Sequence, residues 1–317
     1  MAVYTDVPAE RLVEFLGRYG LGELTSFKGI AEGVSNSNFL VETAGAQGPD
    51  RFILTLYERR IDPADLPWFI ALMEHLADRG LPVPRPMRDR ECRALQTLAG
   101  RHACLIRFLP GVSVSAPTAT QAAAAGRALA QLHLAGRSFT AFRPNGLGLQ
   151  WWNSTAGLLG PRLDTIEPGL AALVSGRLDH VRNAWPADLP KGTIHADLFP
   201  DNVLMLGDEV SGLIDFYFAC SDLFAYDLAV LLNAWAFPAD GTQPLADRWE
   251  AALAGYGAVR PLDPAERAAL PVLCEGAALR FLLSRAQDWL EPAEGALVAR
   301  KDPLPFARRL AWHAAHG

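Results

Sequence analysis

The spacing of hydrophobic positions changes along the chain, from largely strand-like in the first third to largely helical beyond it. Residues 8–19 carry hydrophobic side chains at helical spacing, which predicts a short first helix. Three apolar segments then predict strands, at residues 23–31, 39–42 and 51–58. A small polar turn over residues 32–38 separates the first two strands, and residues 45–50 predict a flexible loop before the third.

One helix and one hairpin complete this first part of the chain. Asp62 and Pro63 are typical of a helix start, and Gly80 marks the expected end of that helix. Two further apolar segments, residues 91–98 and 101–109, predict an antiparallel hairpin with a two-residue turn between them.

The cysteines are scattered and show no metal-binding or redox spacing. In the hairpin just described, Cys92 would face Arg107 and Cys104 would face Leu95, so the two cysteines would not be cross-strand partners. We therefore expect reduced thiols in a cytoplasmic protein.

Beyond residue 110 the pattern is mainly helical. Thr118 and Gln121 form a capping box, the signature of a helix start. Residues 145–152, which contain glycine and tryptophan, predict a loop. Further helices are expected at residues 165–185, 244–256, 264–290 and 303–315, with a break at Pro271.

Composition and charge narrow the possible partners. The chain has 317 residues, half of them apolar, which is enough for one large domain or two lobes that share a cleft. Its formal net charge of -6 gives no general attraction to nucleic acid or to an anionic membrane. The N-terminus lacks the basic and apolar regions of a signal peptide, and no window of about 18 uncharged apolar residues exists. We expect no nucleic-acid or membrane partner, and the oligomeric state is not predicted.

One polar loop carries residues with a shared chemistry. Asp197 lies in a tight polar turn, where its carboxylate can accept a proton from a hydroxyl, and Asn202 follows five residues later. Residues 203–206 and 210–214 predict two strands of a hairpin that returns Asp215 to the side of Asn202. Two protein oxygens together suit Mg²⁺, which usually keeps substrate phosphates among its ligands. A base and two metal ligands in this order are the arrangement of phosphoryl transfer.

The segment from His195 to Leu204, followed by Ile214-Asp215-Phe216, resembles the signature of the aminoglycoside phosphotransferase and choline kinase superfamily. Within it, residues 214–220, 226–229 and 232–235 are similar to the bacterial homoserine kinases of this fold. The resemblance covers nearly the whole chain. It implies an α+β, two-lobed protein-kinase-like fold, with a small antiparallel-sheet lobe over residues 1–107 and a helical lobe over residues 108–317.

The resemblance also implies an activity. ATP and Mg²⁺ would lie in the cleft, and the γ-phosphoryl group would pass to the hydroxyl of L-homoserine, giving O-phospho-L-homoserine for threonine biosynthesis. Asp197 would be the catalytic base, and Asn202 and Asp215 would bind Mg²⁺. His195 and Asp227 would support the catalytic loop rather than contact the substrate.

The nucleotide side of the site is expected in the first lobe. Small side chains let backbone N–H groups approach phosphates, and the residues placed there are Gly33, Ser35, Asn36 and Ser37. Main-chain groups from Arg107 to Leu109 would meet the adenine edge, and Ile53 would lie over its ring.

One strand position departs from the family pattern. Thr55 stands where the fold usually carries a Lys or Arg that reaches the nucleotide phosphates. Lys28 or Arg59 could replace that cation, or the site could rely on the metal. Glu74 would correspond to the acid that normally pairs with the strand cation, and it could equally be a solvated helix residue.

The carboxylate of homoserine requires an anion receptor, and the planar fork of an arginine is the best match. Arg280 has no acidic residue at its helical neighbour positions, and small residues, Gly276 among them, leave room beside it. Its partner would be the substrate, or an acid such as Asp222 or Asp227. Tyr217 is the second residue expected to contact the substrate.

Three alternatives stay open. The first is a kinase for choline, ethanolamine or another cationic alcohol, for which the aromatic residues Trp151, Trp152, Tyr217 and Trp235 could form a cage. The ten acidic and nine basic residues beyond residue 238 argue against a polycationic substrate. The second is a nucleotide-binding pseudokinase, suggested by Thr55. The third, a protein kinase, is disfavoured because no activation segment follows Asp215.

Overall fold

The computed structural model describes residues 4–30, 36–46, 48–58, 61–291 and 300–317. The chain divides into two compact units, Met1–Pro110 and Gly111–Gly317. The boundary therefore lies three residues beyond the one predicted after residue 107. The N–H of Phe108 donates to the carbonyl of Arg51 at 3.2 Å, and this bond keeps residue 108 with the first unit.

The first unit contains an antiparallel five-stranded sheet. Two helices accompany it, α1 (Ala9–Leu16) and α2 (Leu66–Ala77), the second preceded by a single 3₁₀ turn that the Asp62 carboxylate caps. The strands are β1 (Glu23–Ile30), β2 (Asn36–Gly45), β3 (Gly48–Tyr57), β4 (Leu95–Leu98) and β5 (Arg101–Arg107). Their order in the sheet is β1-β2-β3-β5-β4.

One face of this sheet packs against α1. Alternate residues of β3, including Phe52 and Leu54, join Leu12 and Phe15 of the helix in one buried cluster. Because successive strand residues point to opposite faces, Ile53 and Thr55 lie on the other face together.

The hairpin formed by β2 and β3 corrects one prediction. Residues 45–50 do not form a flexible loop, because the two strands continue to the pair formed by Gly45 and Gly48. The glycine at position 48 has φ +104°, a value that residues with a side chain rarely adopt, and it allows this tight turn.

The register of β4 and β5 confirms the pairing of Cys104 with Leu95. The predicted pairing of Cys92 with Arg107 is wrong. Cys92 lies in a turn in which the Asp89 carboxylate accepts the N–H groups of Glu91 (3.0 Å) and Arg93 (2.8 Å), so strand pairing begins only at Leu95. Arg107 instead donates its N–H to the carbonyl of Arg85 at 2.9 Å.

The second unit is mostly helical, with two small two-stranded sheets, β6–β9 and β7–β8. Its helices are α3 (Ala119–Gly136), α4 (Leu149–Leu159), α5 (Leu170–Ala184), α6 (Phe224–Trp235), α7 (Ala246–Gly257), α8 (Pro264–Leu290) and α9 (Leu304–His316). Its strands are β6 (Lys191–Ile194), β7 (Val203–Leu206), β8 (Glu209–Leu213) and β9 (Cys220–Leu223). This architecture confirms the predicted α+β fold class.

Helix α6 is the centre of the second unit. Eleven of its twelve residues are buried, as expected of a helix that is apolar all round and is surrounded by other elements. It packs against α3, α7, α8 and both strands of the β6–β9 sheet. The buried polar groups of α6 must therefore find protein partners, and Asp227 is the most consequential of them.

The helices expected at residues 244–256, 264–290 and 303–315 correspond to α7, α8 and α9, but two details of the helix predictions were wrong. Residues 149–152 belong to α4, because Gly148 ends the preceding loop and the helix begins at Leu149. Helix α8 continues through Pro271 without a break. The capping box at the start of α3 is present, with the Thr118 hydroxyl accepting from the N–H of Gln121 at 3.2 Å. Among the described residues, no helix is long and apolar enough to cross a membrane.

Candidate active site

The catalytic loop begins where β6 ends. His195 and Ala196 are buried, and Ala196 adopts a left-handed conformation with φ +60°. Such a conformation is costly for a residue with a side chain, so the surrounding structure must hold it. Asp215, the other non-glycine residue of this site with a positive φ (+63°), directly follows β8 and its hairpin.

Asp227 holds the loop in place from α6. Its carboxylate accepts the N–H of His195 at 2.8 Å and that of Ala196 at 2.7 Å. Burial alone would raise the pKa of Asp227, but the hydrogen bond from His133 and the backbone donors outweigh it and lower the pKa. An ionised carboxylate inside the protein thus fixes the backbone immediately before Asp197.

The ring of His195 makes a second link within the site. Its Nε2 lies 3.0 Å from the carbonyl of Ile214, the residue before Asp215. Burial lowers the pKa of His195, so the ring is neutral and donates this bond. His195 thereby joins the loop that carries Asp197 to the segment that carries Asp215, and it faces away from solvent.

Asn202 lies between the two acids. Its amide nitrogen donates to the Asp197 carbonyl at 2.8 Å and to Asp197 Oδ2 at 3.1 Å. The main-chain carbonyl of Asn202 accepts the N–H of Ile214 at 3.0 Å. Ile214, the residue before Asp215, therefore lies alongside Asn202. The amide oxygen is the atom of this side chain left for a cation.

The two carboxylates are electrostatically crowded. Burial, opposed by Arg280, raises the pKa of Asp197 to about 6. Desolvation, followed by the charges of Asp197 and Asp201, raises the pKa of Asp215 to about 7, although Asp215 is an exposed residue. A bound cation would relieve this crowding.

The donor set fits a hard divalent cation. Asn202 and Asp215 offer two oxygen ligands, the small number that Mg²⁺ usually takes from protein. Within the described ranges no group of three or more His, Cys, Asp or Glu residues forms a metal site, so a closed all-protein cage is not present there.

Arg280 on α8 contacts the proposed base directly. Its Nη1 lies 3.4 Å from Asp197 Oδ1, and its side chain is only 4% exposed. The guanidinium carbon lies 3.9 Å from the centre of the Phe281 ring and 5.1 Å from that of Phe218. The described contacts pair Arg280 with Asp197 rather than with Asp222 or Asp227.

The space expected beside Arg280 is partly filled. A Cβ at Gly276, one helical turn before Arg280, would lie 2.4 Å from the Trp185 ring and 2.9 Å from that of Trp152. Trp152 is fully buried, and its indole N–H donates to the carbonyl of Leu147 at 2.6 Å. Glycine is therefore required here for packing, and the guanidinium itself remains next to Asp197.

The aromatic cage considered for choline is not assembled. Trp152 and Trp235 are fully buried core residues, and the Trp235 N–H donates to the Leu198 carbonyl at 2.9 Å. Tyr217 lies half-buried in the single 3₁₀ turn that follows Asp215.

The predicted phosphate-binding residues lie at the start of β2. Gly33 and Ser35 fall outside the described residues. Asn36 is buried, and the Ser37 hydroxyl accepts from the N–H groups of Tyr4 and Thr5 while donating to Glu58 at 2.6 Å. The Ser37 side chain is therefore occupied, and at this position only main-chain groups could approach a phosphate.

The adenine-side residues lie along β3 and at the end of β5. The Thr55 hydroxyl donates to the Asn38 side chain at 2.8 Å, so Thr55 is buried and satisfied. Because Arg107 uses its N–H for Arg85, the main-chain groups left for an adenine edge are the Arg107 carbonyl and the Leu109 N–H.

Glu74 forms an ion pair, but not with a strand cation. Both of its oxygens accept from Arg88, Oε1 from Nε at 2.7 Å and Oε2 from Nη2 at 2.7 Å. Lys28 is exposed on β1 opposite Leu40, and Arg59 lies outside the described residues.

Sequence patterns did not reveal two features of the site. His133 on α3 hydrogen-bonds Asp227 at 2.9 Å, and Lys301 lies 3.2 Å from Asp201 of the catalytic loop. A histidine near a helix end gives no sign of its partner when that partner is 94 residues away. The sequence before Lys301 has no clear hydrophobic periodicity, so the contact of Lys301 with Asp201 could not be predicted from it.

Several solved structures share this fold at low sequence identity. Spectinomycin phosphotransferase APH(9)-Ia, in complex with ADP and spectinomycin, superimposes with a TM-score of 0.71 at 14% identity, covering 98% of this chain and 99% of that one. The amicoumacin kinase hAmiN, in complex with AMP-PNP, Ca²⁺ and Ami, gives a TM-score of 0.69 at 15% identity, covering 97% and 93%. These likenesses show the fold.

Sequence relatives extend over the full length. A protein of Azorhizobium caulinodans named homoserine kinase is 57% identical over 315 residues, which is 99% of this chain and 97% of that protein. A homoserine kinase of Methylorubrum populi is 56% identical over 313 residues, covering 99% and 96%. The model of the phosphotransferase enzyme family matches residues 26–262. With that match and these relatives, the resemblance drawn from residues 195–216 is confirmed, and the chain belongs to the phosphotransferase enzyme family.

Proposed function

We propose that this protein is an ATP-dependent homoserine kinase, which transfers the γ-phosphoryl group of ATP to the hydroxyl of L-homoserine. The observation that carries the proposal is the buried guanidinium of Arg280, 3.4 Å from the carboxylate of Asp197. It places a receptor for a carboxylate next to a proton acceptor. The names of the full-length relatives support the same substrate.

Asp197 would orient the acceptor hydroxyl and accept its proton. The hydroxyl oxygen then forms a bond to the γ-phosphorus, the bond between that phosphorus and ADP breaks, and the proton resides on Asp197. Its pKa of about 6 suits this role, because the carboxylate is mostly ionised at neutral pH and yet more basic than an ordinary aspartate. Asn202 keeps the carboxylate oriented through its bond to Oδ2.

Arg280 would bind the homoserine carboxylate. An arginine offers several N–H donors in a plane, and its contact with Asp197 is long enough to leave most of them for a ligand. Hydroxyl and carboxylate are separated in homoserine by a short carbon chain, so one molecule can reach both side chains. Stacking on Phe281 and Phe218 fixes the guanidinium plane before the substrate arrives.

Asn202 and Asp215 would hold Mg²⁺, which neutralises phosphate charge when bound. The protein's own contribution is positional. His195 and Asp227 fix the loop and the hairpin, and Ile214 donates its N–H to Asn202, so the two oxygen ligands stay beside each other. In this arrangement Asp197 would act as the base and Asp215 as a ligand of the metal.

A cationic alcohol such as choline or ethanolamine fits the site less well. A quaternary ammonium next to the buried Arg280 would be repelled. Two of the four aromatic residues that could offset this repulsion, Trp152 and Trp235, are packed in the core. A pseudokinase is disfavoured because Asp197, Asn202 and Asp215 are all present and adjacent.

The test is an ADP-release assay on the purified protein with several acceptors: L-homoserine, 3-aminopropan-1-ol, choline, ethanolamine, methylthioribose and kanamycin. We expect Mg²⁺-dependent release with L-homoserine, and a phosphate monoester of homoserine by ³¹P NMR. Release with 3-aminopropan-1-ol, which lacks the carboxylate, should be much weaker. Equal release with both, or release with choline alone, would overturn the assignment. Asp197→Asn protein, prepared in the same way, controls for contaminating kinases.

A further inference from the structure

A continuous chain of buried hydrogen bonds leads away from the catalytic loop through Asp227. His133 Nε2 lies 2.9 Å from Asp227 Oδ2, and His133 Nδ1 lies 2.8 Å from the Tyr256 hydroxyl. The same hydroxyl lies 3.0 Å from Arg260 Nη1, and Arg260 Nη2 lies 2.8 Å from Glu266 Oε1. Exposed fractions range from 0% for His133, Asp227 and Tyr256 to 6% for Arg260.

The direction of every bond in this chain is determined. Burial lowers the pKa of His133, so its ring is neutral and has one donor and one acceptor nitrogen. Because Asp227 is an acceptor only, Nε2 carries the proton and Nδ1 presents a lone pair. The Tyr256 hydroxyl therefore donates to Nδ1, and it accepts from Arg260, which is a donor only. Reversing any one bond would place two donors or two acceptors face to face.

The far end of the chain fixes the start of α8. Glu266 uses Oε1 for Arg260 and Oε2 for the N–H of Asp263 at 3.1 Å, while the Asp263 carboxylate accepts the N–H of Glu266 at 2.8 Å. This is the capping box of α8. Helix α8 is also the helix that carries Arg280, so the chain connects the helix bearing Arg280 with the loop bearing Asp197.

Stability alone does not account for these residue types. Arg260 is a buried cation, and replacement of a buried ion pair by apolar residues of similar volume is often neutral or stabilising. A phenylalanine at position 256 would pack equally well against His133 and Arg260, but it would leave His133 Nδ1 without a donor. What the hydroxyl adds is a second hydrogen bond that fixes the position of the His133 ring.

We propose that Tyr256 and Arg260 are positioning residues for phosphoryl transfer, which act through His133 to fix Asp227, the loop N–H groups and thereby Asp197 relative to Arg280. Neither residue touches substrate or nucleotide in this scheme. The scheme applies to whichever acceptor the protein uses, since the chain of bonds ends on the backbone before the base.

The first test is Tyr256→Phe, which keeps the ring and removes only the hydroxyl. Loss of such an outer partner commonly costs about 10- to 100-fold in activity. We expect kcat to fall by about that factor, with the KM values for ATP and acceptor little changed. The ¹⁵N signal of His133 Nδ1, which loses its donor, should move, and the backbone N–H signals of His195 and Ala196, which Asp227 binds, should move with it. General loosening of the fold does not select these signals.

Arg260→Lys is the second variant. Lysine keeps the positive charge but cannot bond Tyr256 and Glu266 together through one planar fork. Arg260→Lys should lower kcat by a smaller factor than Tyr256→Phe does. The factor by which kcat falls in the double variant should be smaller than the product of the two single factors, because both residues act through His133.

Leu178→Ala is the control for stability. Leu178 is a buried apolar residue on α5, outside the chain of bonds, and its truncation destabilises the fold by cavity formation. At equal fractions folded, Leu178→Ala should retain parental kcat. If Tyr256→Phe and Arg260→Lys both keep parental kcat, or if their kcat losses are no larger than that of Leu178→Ala and the signals of His133 Nδ1 and of the His195 and Ala196 N–H groups are unchanged, the proposal is overturned. Because each variant is compared with its parent on the same acceptor, these outcomes are separate from a wrong choice of acceptor.

Discussion

Arg280 Nη1 and Asp197 Oδ1 approach to 3.4 Å, although the two residues are 83 positions apart in the sequence. The contact is too long for a strong ion pair but close enough for each group to influence the other. A single small ligand with a hydroxyl and a carboxylate could thus engage both side chains, and this relationship is the basis of the substrate assignment.

Arg280→Met should raise the KM for homoserine strongly and leave the KM for ATP little changed. Hydrogen bonds to charged groups contribute about 1.5–3 kcal/mol each, so a loss of about 10- to 100-fold is expected. Discrimination against 3-aminopropan-1-ol should shrink by a similar factor. Steady-state kinetics with both acceptors measures this.

The matched control for that variant is Arg267→Met. Arg267 is exposed near the start of the same helix, and it donates to the Leu262 carbonyl at 3.2 Å. The Arg267 variant should keep both KM values. Unchanged KM values in folded Arg280→Met protein, checked by circular dichroism, would remove Arg280 from the substrate site.

Asp197→Asn should lower kcat by about 10²- to 10⁴-fold, the usual range for loss of a general base. Nucleotide affinity should persist, because the change keeps the shape of the side chain and removes its basicity. Equilibrium binding of a fluorescent ATP analogue and single-turnover kinetics separate the two effects. Asp201→Asn, an exposed position on the same loop, should retain near-parental turnover.

Asp215→Ala should increase the Mg²⁺ concentration needed for half-maximal activity, without comparable loss of folding. Its carboxylate is exposed and crowded by Asp197 and Asp201, and its removal costs the fold little beyond one hydrogen bond from the Tyr217 backbone. Mg²⁺ titration at saturating ATP is the measurement. Asp208→Asn, in the turn of the same hairpin, should leave the Mg²⁺ requirement as it is, and an equal requirement in both variants would count against Asp215 as a ligand.

The contacts of the loop that carries Asp197 could be predicted from sequence because they join residues that are close together in the chain. Asn202 and Asp215 are brought together by one short hairpin, and Asn202 reaches Asp197 across five residues of a tight turn. The partner of Arg280 could not be predicted. Its helical neighbours indicated that the partner comes from elsewhere, and the substrate or an acid such as Asp222 or Asp227 was expected. The packing of α8 instead brings Arg280 next to Asp197, which was not among those candidates.

The wrong predictions have the same physical origin. Cys92 was placed in a strand that was expected to begin at residue 91, but the Asp89 carboxylate binds backbone N–H groups of a turn there, so the strand begins only at Leu95. Residues 149–152 were interpreted as part of a loop, whereas in the structure they form the first turn of α4. Turn-forming side chains and tertiary burial determine where both elements begin, and the spacing of hydrophobic residues gives no information on either.

Gly255→Ala should destabilise the second unit by about 1–3 kcal/mol, the usual cost of overpacking. A Cβ at this position would lie 2.1 Å from the Ala123 carbonyl oxygen, because α7 and α3 pack backbone to backbone. Urea denaturation measures the change in free energy of unfolding. Gly257→Ala on the same helix meets nothing within 4 Å and should be neutral or stabilising. Equal effects of the two substitutions would show that the close helix contact is not limiting.

His313→Gln should reduce the dependence of stability on pH. His313 is 4% exposed, and its Nε2 lies 3.2 Å from the Asn233 side-chain oxygen. Burial, together with the charges of Arg309 and His316, lowers the pKa of His313 to about 3, whereas an unfolded histidine titrates near about 6.5. Below about pH 6.5 the unfolded state therefore binds a proton that the folded state does not, and the free energy of unfolding falls with falling pH until about pH 3.

Burial also lowers the pKa values of His133 and His195, so these residues likewise make the free energy of unfolding fall as the pH falls. The raised pKa values of Asp197 and Asp215 have the opposite effect on the free energy of unfolding. The glutamine amide can still donate to Asn233 but cannot titrate. Between about pH 6 and 4, His313→Gln should remove up to one proton from the linkage, or about 1.4 kcal/mol per pH unit of slope. Urea denaturation across this range measures the slope. Leu178→Ala, destabilised without loss of a titrating group, should keep the parental slope, and a parental slope in His313→Gln would show that His313 protonates freely in the folded protein.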